Sequence, residues 1–320
     1  MAVIKPVLAP DLKVLEIEPI ATGLQFTESP RYKDGYVYIS DMIGKTLWRL
    51  DPAKKTKEHF MSVPEQCNGS GFLSDGTFVV GSMFDQQILC IRDMKNPKLE
   101  VYKDLKPLMT GYTGDMVIDA DDNVYIDDVG ARLHHGEPYR PGRIIMVTPG
   151  KEMKSVAEDL EFPNGILISG DGKKLYIAES HAFRISYYDI KADGTLANRQ
   201  TWFETKDVMP FGITGEGGKP TAIDGMAIDA EDALWISMFY SGCFIRLTQE
   251  GVITHRVNVD GEATALILGG ENGKTLFLGS NAMPKSEGEG DDVYNKLNHG
   301  KSIGTIYQTR VDTPRGKGRP

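Results

Sequence analysis

Five carboxylate and carboxamide side chains recur at a nearly constant distance before a tight turn. Four of them lie eight residues before a turn residue, and the first lies seven residues before one. Oxygen donors without His or Cys suit a hard divalent cation, Ca²⁺ first, with Mg²⁺, Mn²⁺ or Zn²⁺ as alternatives. Crowded carboxylates would repel one another unless such a cation neutralised them. The five residues are Glu28, Asn68, Asp115, Asn164 and Asp224.

A simpler interpretation exists for each of these residues taken alone. A polar residue at the start of a strand often caps a turn or holds water. Recurrence at one offset favours a shared site, provided that the fold brings the five strand ends together.

The elements that could do so are repeated strands. An alternating apolar strand, preceded by a turn containing Asp, Gly or Asn, returns at intervals of 41, 46, 51, 59 and 42 residues. A unit of about 40–50 residues built of short strands is typical of a β-propeller, with one four-stranded blade per unit. We therefore predict an all-β, six-bladed β-propeller whose inner strands line a central channel. The repeated strands centre on residues 37–39, 78–80, 124–126, 175–177, 234–236 and 276–278.

The last unit lacks an outer strand at the C-terminal end of the chain. The strand-like stretch Leu12–Ile20 precedes the first inner strand, so we predict that it completes the sixth blade and closes the ring. Residues 1–312 are then expected to form a single propeller. The segment 313–320, rich in Gly, Pro and basic residues, is expected to be a disordered tail.

Composition restricts the classes of partner. The net charge of −9 argues against nucleic acid and against an anionic membrane surface. The chain has no run of 18 apolar residues, and residues 1–10 do not resemble a signal peptide. Three Cys residues lie in different units with neither disulfide nor zinc spacing, which predicts a cytoplasmic protein. We expect a small-molecule partner; the oligomeric state stays open.

Long insertions fall on one face of the predicted ring, at 127–142, 206–223 and 280–302. Loops elaborated on one face suggest that function lies there. Asn68, Tyr112, His134 and His181 are our candidates for substrate binding on this face, with Asn68 orienting substrate or a metal-bound water. An exposed polar loop is the alternative for His134, and 280–302 is either a lid or a mobile loop.

Several motifs resemble one known family. The segment 28–32, E-S-P-R-Y, resembles the "E-G-P-x-W/Y" start of the SMP-30/gluconolactonase/regucalcin propellers. F-P-N-G at 162–165 with L-Y-I-A-E-S at 175–180, and I-D-G-M at 223–226, are similar to two further units of that family. The resemblance implies a six-bladed propeller of the metal-dependent lactonase class. It also implies that Glu28, Asn164 and Asp224 bind the metal.

One unit departs from the sugar-lactonase pattern. Those enzymes carry "R-x-N-D-G" on blade three, whereas residues 112–116 here are Y-T-G-D-M. The Arg and Asn that hold a sugar lactone are replaced by Tyr112 and Gly114. The stretch 114–119 is instead similar to the drug-responsive lactonase branch, which uses Ca²⁺ and hydrolyses less polar lactones such as dihydrocoumarin.

These observations predict a calcium-dependent hydrolase that opens a lactone, and they favour a non-sugar lactone over a sugar lactone as its substrate. A cation at the channel mouth would polarise the carbonyl, and a carboxylate would take a proton from water. Asp115 and Asp224 are the two candidates for that catalytic base. The alternatives are a non-catalytic binding propeller and a strictosidine-synthase-like condensing enzyme, which needs a Glu and no metal.

Overall fold

The computed structural model describes residues 3–283, 297 and 302–320. Six sheets are arranged as the blades of a β-propeller, which confirms the predicted fold class. Each blade runs from an inner strand at the channel to an outer strand at the rim. In blade one the inner, second, third and outer strands are Thr27–Lys33, Tyr36–Asp41, Thr46–Asp51 and Thr56–Ser62. In blade two they are Cys67–Phe72, Phe78–Ser82, Gln87–Ile91 and Glu100–Asp104, and in blade three Thr113–Ile118, Val124–Asp128, Gly142–Val147 and Met153–Leu160.

The remaining blades follow the same order along the chain. Blade four contains Pro163–Ile168, Lys174–Glu179, Arg184–Ile190 and Leu196–Glu204, and blade five Ile223–Ile228, Leu234–Met238, Cys243–Leu247 and Val252–Asn258. Blade six contains Glu262–Gly269, Thr275–Ala282 and Ile303–Arg310, with its outer strand supplied by Glu18–Leu24. Short 3₁₀ helices lie at Leu133–His135, Ser180–Ala182, Thr205–Phe211, Glu216–Gly218 and Phe239–Ser241. In the described part of the chain, no helix has the length and apolar character needed to cross a membrane.

The apolar core is divided among the contacts between blades. Strands alternate between their two faces, so each blade presents apolar side chains to both of its neighbours. One cluster of buried side chains fills each of the six blade–blade contacts. Trp235, Tyr125 and Phe277 are among the largest fully buried side chains. A seventh cluster lies at one mouth of the channel rather than between blades.

An N-terminal strand closes the ring, as predicted, but its bounds differ from the prediction. Glu18–Leu24 pairs antiparallel with Ile303–Arg310, whereas the prediction was Leu12–Ile20. The earlier part of that stretch belongs to Val7–Val14, which pairs parallel with Val252–Asn258 as a fifth strand of blade five. Without these two strands, the edge strands Val252–Asn258 of blade five and Ile303–Arg310 of blade six would be exposed. The N-terminal part of the chain therefore covers the edges of two neighbouring blades.

The C-terminal segment 313–320, expected to be disordered, makes backbone contacts in the structure. Ile168 donates its N–H to Arg319 O at 2.6 Å and accepts from Arg319 N at 2.9 Å. Ala230 N donates to Pro314 O at 2.9 Å. The alternating glycines explain this approach, because a Cβ on Gly318 would overlap the Ile228 side chain.

All six inner strands carry a register shift at the same place. One extra residue is inserted near the start of each inner strand in its pairing with the second strand. Such bulges turn a side chain away from the regular alternation. In three blades a glycine lies at the bulge and lets neighbouring inner strands touch. A Cβ on Gly165 would overlap Asp224 O, and a Cβ on Gly225 would lie 2.9 Å from Ala265 Cα.

Adding one methyl group at this contact should therefore be costly. We expect Gly165→Ala to destabilise the protein by about 1–3 kcal/mol, because backbone atoms cannot move aside as a flexible side chain would. Gly150→Ala is the matched control, since its Cβ would meet nothing closer than Thr148 Oγ1 at 3.7 Å. Urea unfolding of the three proteins measures the difference, and an equal effect of both substitutions would contradict the close approach.

Glu179, from the L-Y-I-A-E-S segment, stabilises the outer strands of blade four. Its fully buried carboxylate accepts hydrogen bonds from Arg184 Nε and Nη2, both at 2.9 Å, and from Arg199 Nη2 at 2.6 Å. Ser186 Oγ and the Glu161 N–H donate as well. Burial alone would raise the pKa of Glu179, but these donors outweigh it and lower the pKa to about 2.

The stability supplied by Glu179 should depend on pH. Because the pKa is lower in the folded protein, ionised Glu179 stabilises the fold at pH values above the ordinary carboxyl range. This stabilisation is lost as the pH falls from about 4.5 towards 2. Glu179→Gln should cost about 3 kcal/mol at pH 7, because two arginines lose their partner, and the cost should shrink at pH 3. Chemical unfolding at both pH values measures it, with the exposed Glu100→Gln as control; a pH-independent cost would refute the assignment.

Candidate functional site

A cavity of about 130 Å³ lies at the mouth of the channel where the inner strands begin. It is lined by inner-strand residues and by the loops that follow the second strands. Seven of the eight residues singled out from the sequence line it; Asp115 does not. The seven are Glu28, Asn68, Tyr112, His134, Asn164, His181 and Asp224.

The bulges place the polar residues of this mouth. Glu28, Asn68, Asn164 and Asp224 occupy the same position of their blades, one residue after the first strand pair. In blade six that position is Thr264, whose hydroxyl donates to neighbouring carbonyl oxygens and offers no carboxylate. Four oxygen-bearing side chains from four blades therefore converge on one cavity.

Blade three departs from this arrangement. Counting from Asn123 placed Asp115 in register with the other four, but the strand pairing puts Gly114 there and Asp115 one residue later. The turn residue with positive φ is Asp122, at 62°, rather than Asn123. Asp122 lies nine residues after Thr113, just as Gly76 lies nine residues after Cys67, so the turn geometry is equal and the offset was counted from a residue one position too late.

Asp115 is held by partners of its own in the channel. Arg31 Nη2 lies 3.3 Å from Asp115 Oδ1, and both side chains are almost buried. The backbone N–H of Met116 donates to Asp115 Oδ1 at 2.8 Å, and that of Ile166 reaches Oδ2 at 3.4 Å. Burial raises the pKa of Asp115, and Arg31 opposes that rise. Arg31 therefore serves as the counter-charge of this carboxylate.

Sequence reasoning missed the importance of Arg31 and of Asp127. Arg31 was noted only within the motif 28–32, although a charged residue on a channel-lining strand was itself a signal. Its guanidinium also donates to Ser70 O at 2.7 Å and Met116 O at 2.8 Å, which ties together the inner strands of three blades. The buried Asp127 accepts from the N–H groups of Gly114 and Asp115 and supports the bulge of blade three.

The two carboxylates of the mouth disfavour each other's charge. Burial, then the charges of Asp224 and Asp115, raise the pKa of Glu28 well above its usual range, against a hydrogen bond from the Ser29 backbone. Burial and then Asp115 raise the pKa of Asp224, while the Asn164 side chain lowers it by hydrogen bonding. A bound cation is the kind of partner that would let both carboxylates ionise.

The oxygen set fits a hard cation. Two carboxylates, Glu28 and Asp224, lie with the amides of Asn164 and Asn68 around one cavity. No three His, Cys, Asp or Glu side chains within the described ranges are grouped closely enough to hold a metal. Carboxylate and carbonyl oxygens, such as those of the four residues around the cavity, are the ligands of Ca²⁺ and Mg²⁺.

Aromatic and aliphatic side chains form the wall of the cavity. Tyr112 is buried and its hydroxyl hydrogen-bonds His135 Nδ1. His181 stacks on Phe162 at a ring separation of 4.6 Å, and loss of hydration lowers the pKa of His181, which favours a neutral imidazole. The apolar lining also includes Phe26, Met42, Met83, Val129 and Phe239. Most of the predicted loop 280–302 lies outside the described residues.

Known proteins share this architecture. The chain is 24% identical over 261 residues to regucalcin of Xenopus laevis, covering 79% of this chain and 82% of that protein. It is 24% identical over 236 residues to the lactonase drp35 of Staphylococcus epidermidis, covering 72% of this chain and 68% of that protein. Among solved structures, a calcium-binding protein, regucalcin, from Agrobacterium tumefaciens superposes with a TM-score of 0.73 at 17% identity, over 97% of this chain and 99% of the other.

The structural likeness at this level of identity concerns the fold alone. The sequence profile of the SMP-30/Gluconolactonase/LRE-like region matches residues 26–282, which span all six inner strands and the cavity they form. This match covers most of the chain and includes the three motifs on which the resemblance was based. The chain therefore belongs to the SMP-30/gluconolactonase/LRE-like family.

Proposed function

We propose that the protein is a divalent-cation-dependent lactonase whose metal is held by Glu28, Asn164 and Asp224. The convergence of two carboxylates and an amide from blades one, four and five on one cavity supports the proposal most directly. The lactonase name of a relative that matches 72% of this chain points to the same reaction class. Calcium is our first choice of metal because the donors are all oxygen.

The residues of the cavity would then divide the work of ester hydrolysis. When bound, the cation supplies Lewis acidity towards the carbonyl oxygen and its developing negative charge. Asp224 would accept the proton of the attacking water, and the hydrogen bond from the Asn164 side chain to that carboxylate supports this role. Asn68 faces the same cavity and orients the substrate or the water.

Asp115 is better suited to a positioning role than to that of base. It lies outside the lining of the cavity, and the guanidinium of Arg31 offsets its charge. A carboxylate held by three donors also has little freedom to approach a water. Of our two candidates for the base, the geometry therefore favours Asp224.

The substrate we propose is an apolar lactone, aromatic or aliphatic, rather than a sugar lactone. Aromatic, Met and Val side chains form most of the wall above the polar residues. Sugar hydroxyl groups would need hydrogen-bonding partners there, and an unpaired buried polar group is costly. Tyr112, which stands where sugar lactonases carry Arg, already bonds His135 through its hydroxyl.

Metal and base can be tested together. Protein stripped with EDTA should hydrolyse lactones only after a divalent ion is returned, with Ca²⁺ most effective among Ca²⁺, Mg²⁺, Mn²⁺ and Zn²⁺. Asp224→Ala should lose at least about 10²–10⁴-fold in kcat, because it removes a proposed metal ligand as well as the base, and base catalysis alone is of that size. Asp115→Asn should lose stability more than activity. Asp193→Asn, in a turn between blade-four strands, is the matched control.

Three outcomes would contradict this assignment. Full activity of Asp224→Ala with its circular dichroism unchanged would remove Asp224 from the reaction. Hydrolysis that continues in the presence of EDTA would show that the reaction requires no metal. No bound metal and no hydrolysis of any lactone would favour the non-catalytic binding propeller or the condensing enzyme.

Substrate preference gives an independent test. The kcat/KM for dihydrocoumarin should exceed that for glucono-lactone by more than tenfold. Phe162→Ala should lower kcat/KM for the aromatic lactone by roughly 10–100-fold, because it removes apolar contact worth about 1–3 kcal/mol, and should change the sugar lactone little. Phe211→Ala, packed in the neighbouring cluster of blades four and five, is the aromatic control. A preference for glucono-lactone would overturn the proposed substrate class.

A further inference from the structure

The opposite mouth of the channel holds a second cavity, of about 260 Å³. It is lined by four residues at one repeat position, from blades one, two, three and six: Arg31, Gly71, Val117 and Ile267. On the remaining side, Arg315, Arg319 and Pro320 of the C-terminal segment line the cavity instead of inner-strand residues. The cavity is therefore built jointly by the propeller and its last residues.

The C-terminal segment is held in place by its backbone. Arg315 N donates to Gly273 O at 2.8 Å, and Arg319 exchanges two backbone hydrogen bonds with Ile168. Close contacts at Gly316 and Gly318 bring the segment onto the inner strand of blade five. Two guanidinium groups four residues apart are thereby brought to the channel mouth beside Arg31.

The charges of these three arginines are poorly offset. Loss of hydration, then Arg31 and then Arg319 lower the pKa of Arg315, so the three groups are close enough to repel. Within the described part of the chain, neither Arg315 nor Arg319 forms an ion pair, and the carboxylate paired with Arg31 is Asp115. The Arg315 guanidinium also donates no hydrogen bond to the described residues. Repelling cations around a cavity need a counter-anion.

We propose that this arginine-lined cavity binds a small oxyanion of the phosphate class, free or as a phosphate ester. Guanidinium groups bind phosphate oxygens in pairs through parallel N–H donors, which makes Arg the preferred residue for such ligands. The cavity is large enough for a phosphate with a small organic group. Lys33, whose ammonium lies 4.5 Å from the centre of the Phe72 ring, adds a fourth positive charge to the lining.

Calorimetric titration of the full chain with inorganic phosphate, and separately with glycerol phosphate, tests the proposal. EDTA excludes binding of phosphate to a metal at the other mouth. A constant ionic strength excludes an effect of non-specific charge screening. We expect saturable binding by the wild type, and at least tenfold weaker binding by Arg315→Gln combined with Arg319→Gln. Tighter binding of glycerol phosphate identifies an ester as the ligand, and equal binding identifies the free anion.

Two controls locate the anion. Lys317→Gln removes a charge from the same segment but beside a different cavity, and should bind phosphate as the wild type does. Phe162→Ala alters the wall of the opposite mouth without changing a charge and should also leave binding unchanged. If the double variant does not fold, Arg315→Gln alone decides, because that side chain forms no hydrogen bond within the described residues. Absence of phosphate binding by the wild type, or wild-type affinity in the folded arginine variant, overturns the proposal.

Discussion

The convergence of six inner strands on one narrow channel is the constraint on which the rest of the structure depends. Neighbouring inner strands approach so closely that Gly165 and Gly225 lie against the backbone of the next blade. Side chains that enter the channel therefore meet side chains from other blades, whatever their distance along the chain. The bulge at the start of each inner strand decides which residue enters, and a carboxylate or amide occupies that position in four blades.

The same convergence separates charge along the channel. Glu28 and Asp224 lie at the mouth with the apolar wall, and Arg315 and Arg319 lie at the other. Arg31, which lines the basic mouth, pairs with Asp115, whose charge acts on Glu28 and Asp224 at the other mouth. An uncompensated charge buried in this narrow space would be costly, so the pair lets acidic and basic ends coexist within one channel.

The repeat made the fold and most of the site predictable from sequence. Strand alternation and turn residues identified six blades, and an offset of seven or eight residues before the turns identified Glu28, Asn68, Asn164 and Asp224. The turns do have equal geometry, but in blade three the offset was counted from Asn123, whereas the residue with positive φ is Asp122, and this misplaced Asp115. Both Asp and Asn tolerate positive φ, so the residue types alone did not distinguish Asp122 from Asn123.

Contacts between distant segments were beyond any pattern in the sequence. The residues 313–320 look like a disordered tail by composition, yet their glycines permit contact with two inner strands that lie far away along the chain. Arg31 likewise lies three residues after Glu28 and faces the opposite mouth, because successive residues of a strand past a bulge point in different directions. One short inner strand thus supplies Glu28 to the acidic end of the channel and Arg31 to the basic end. A change in the bulge between them would alter both ends together.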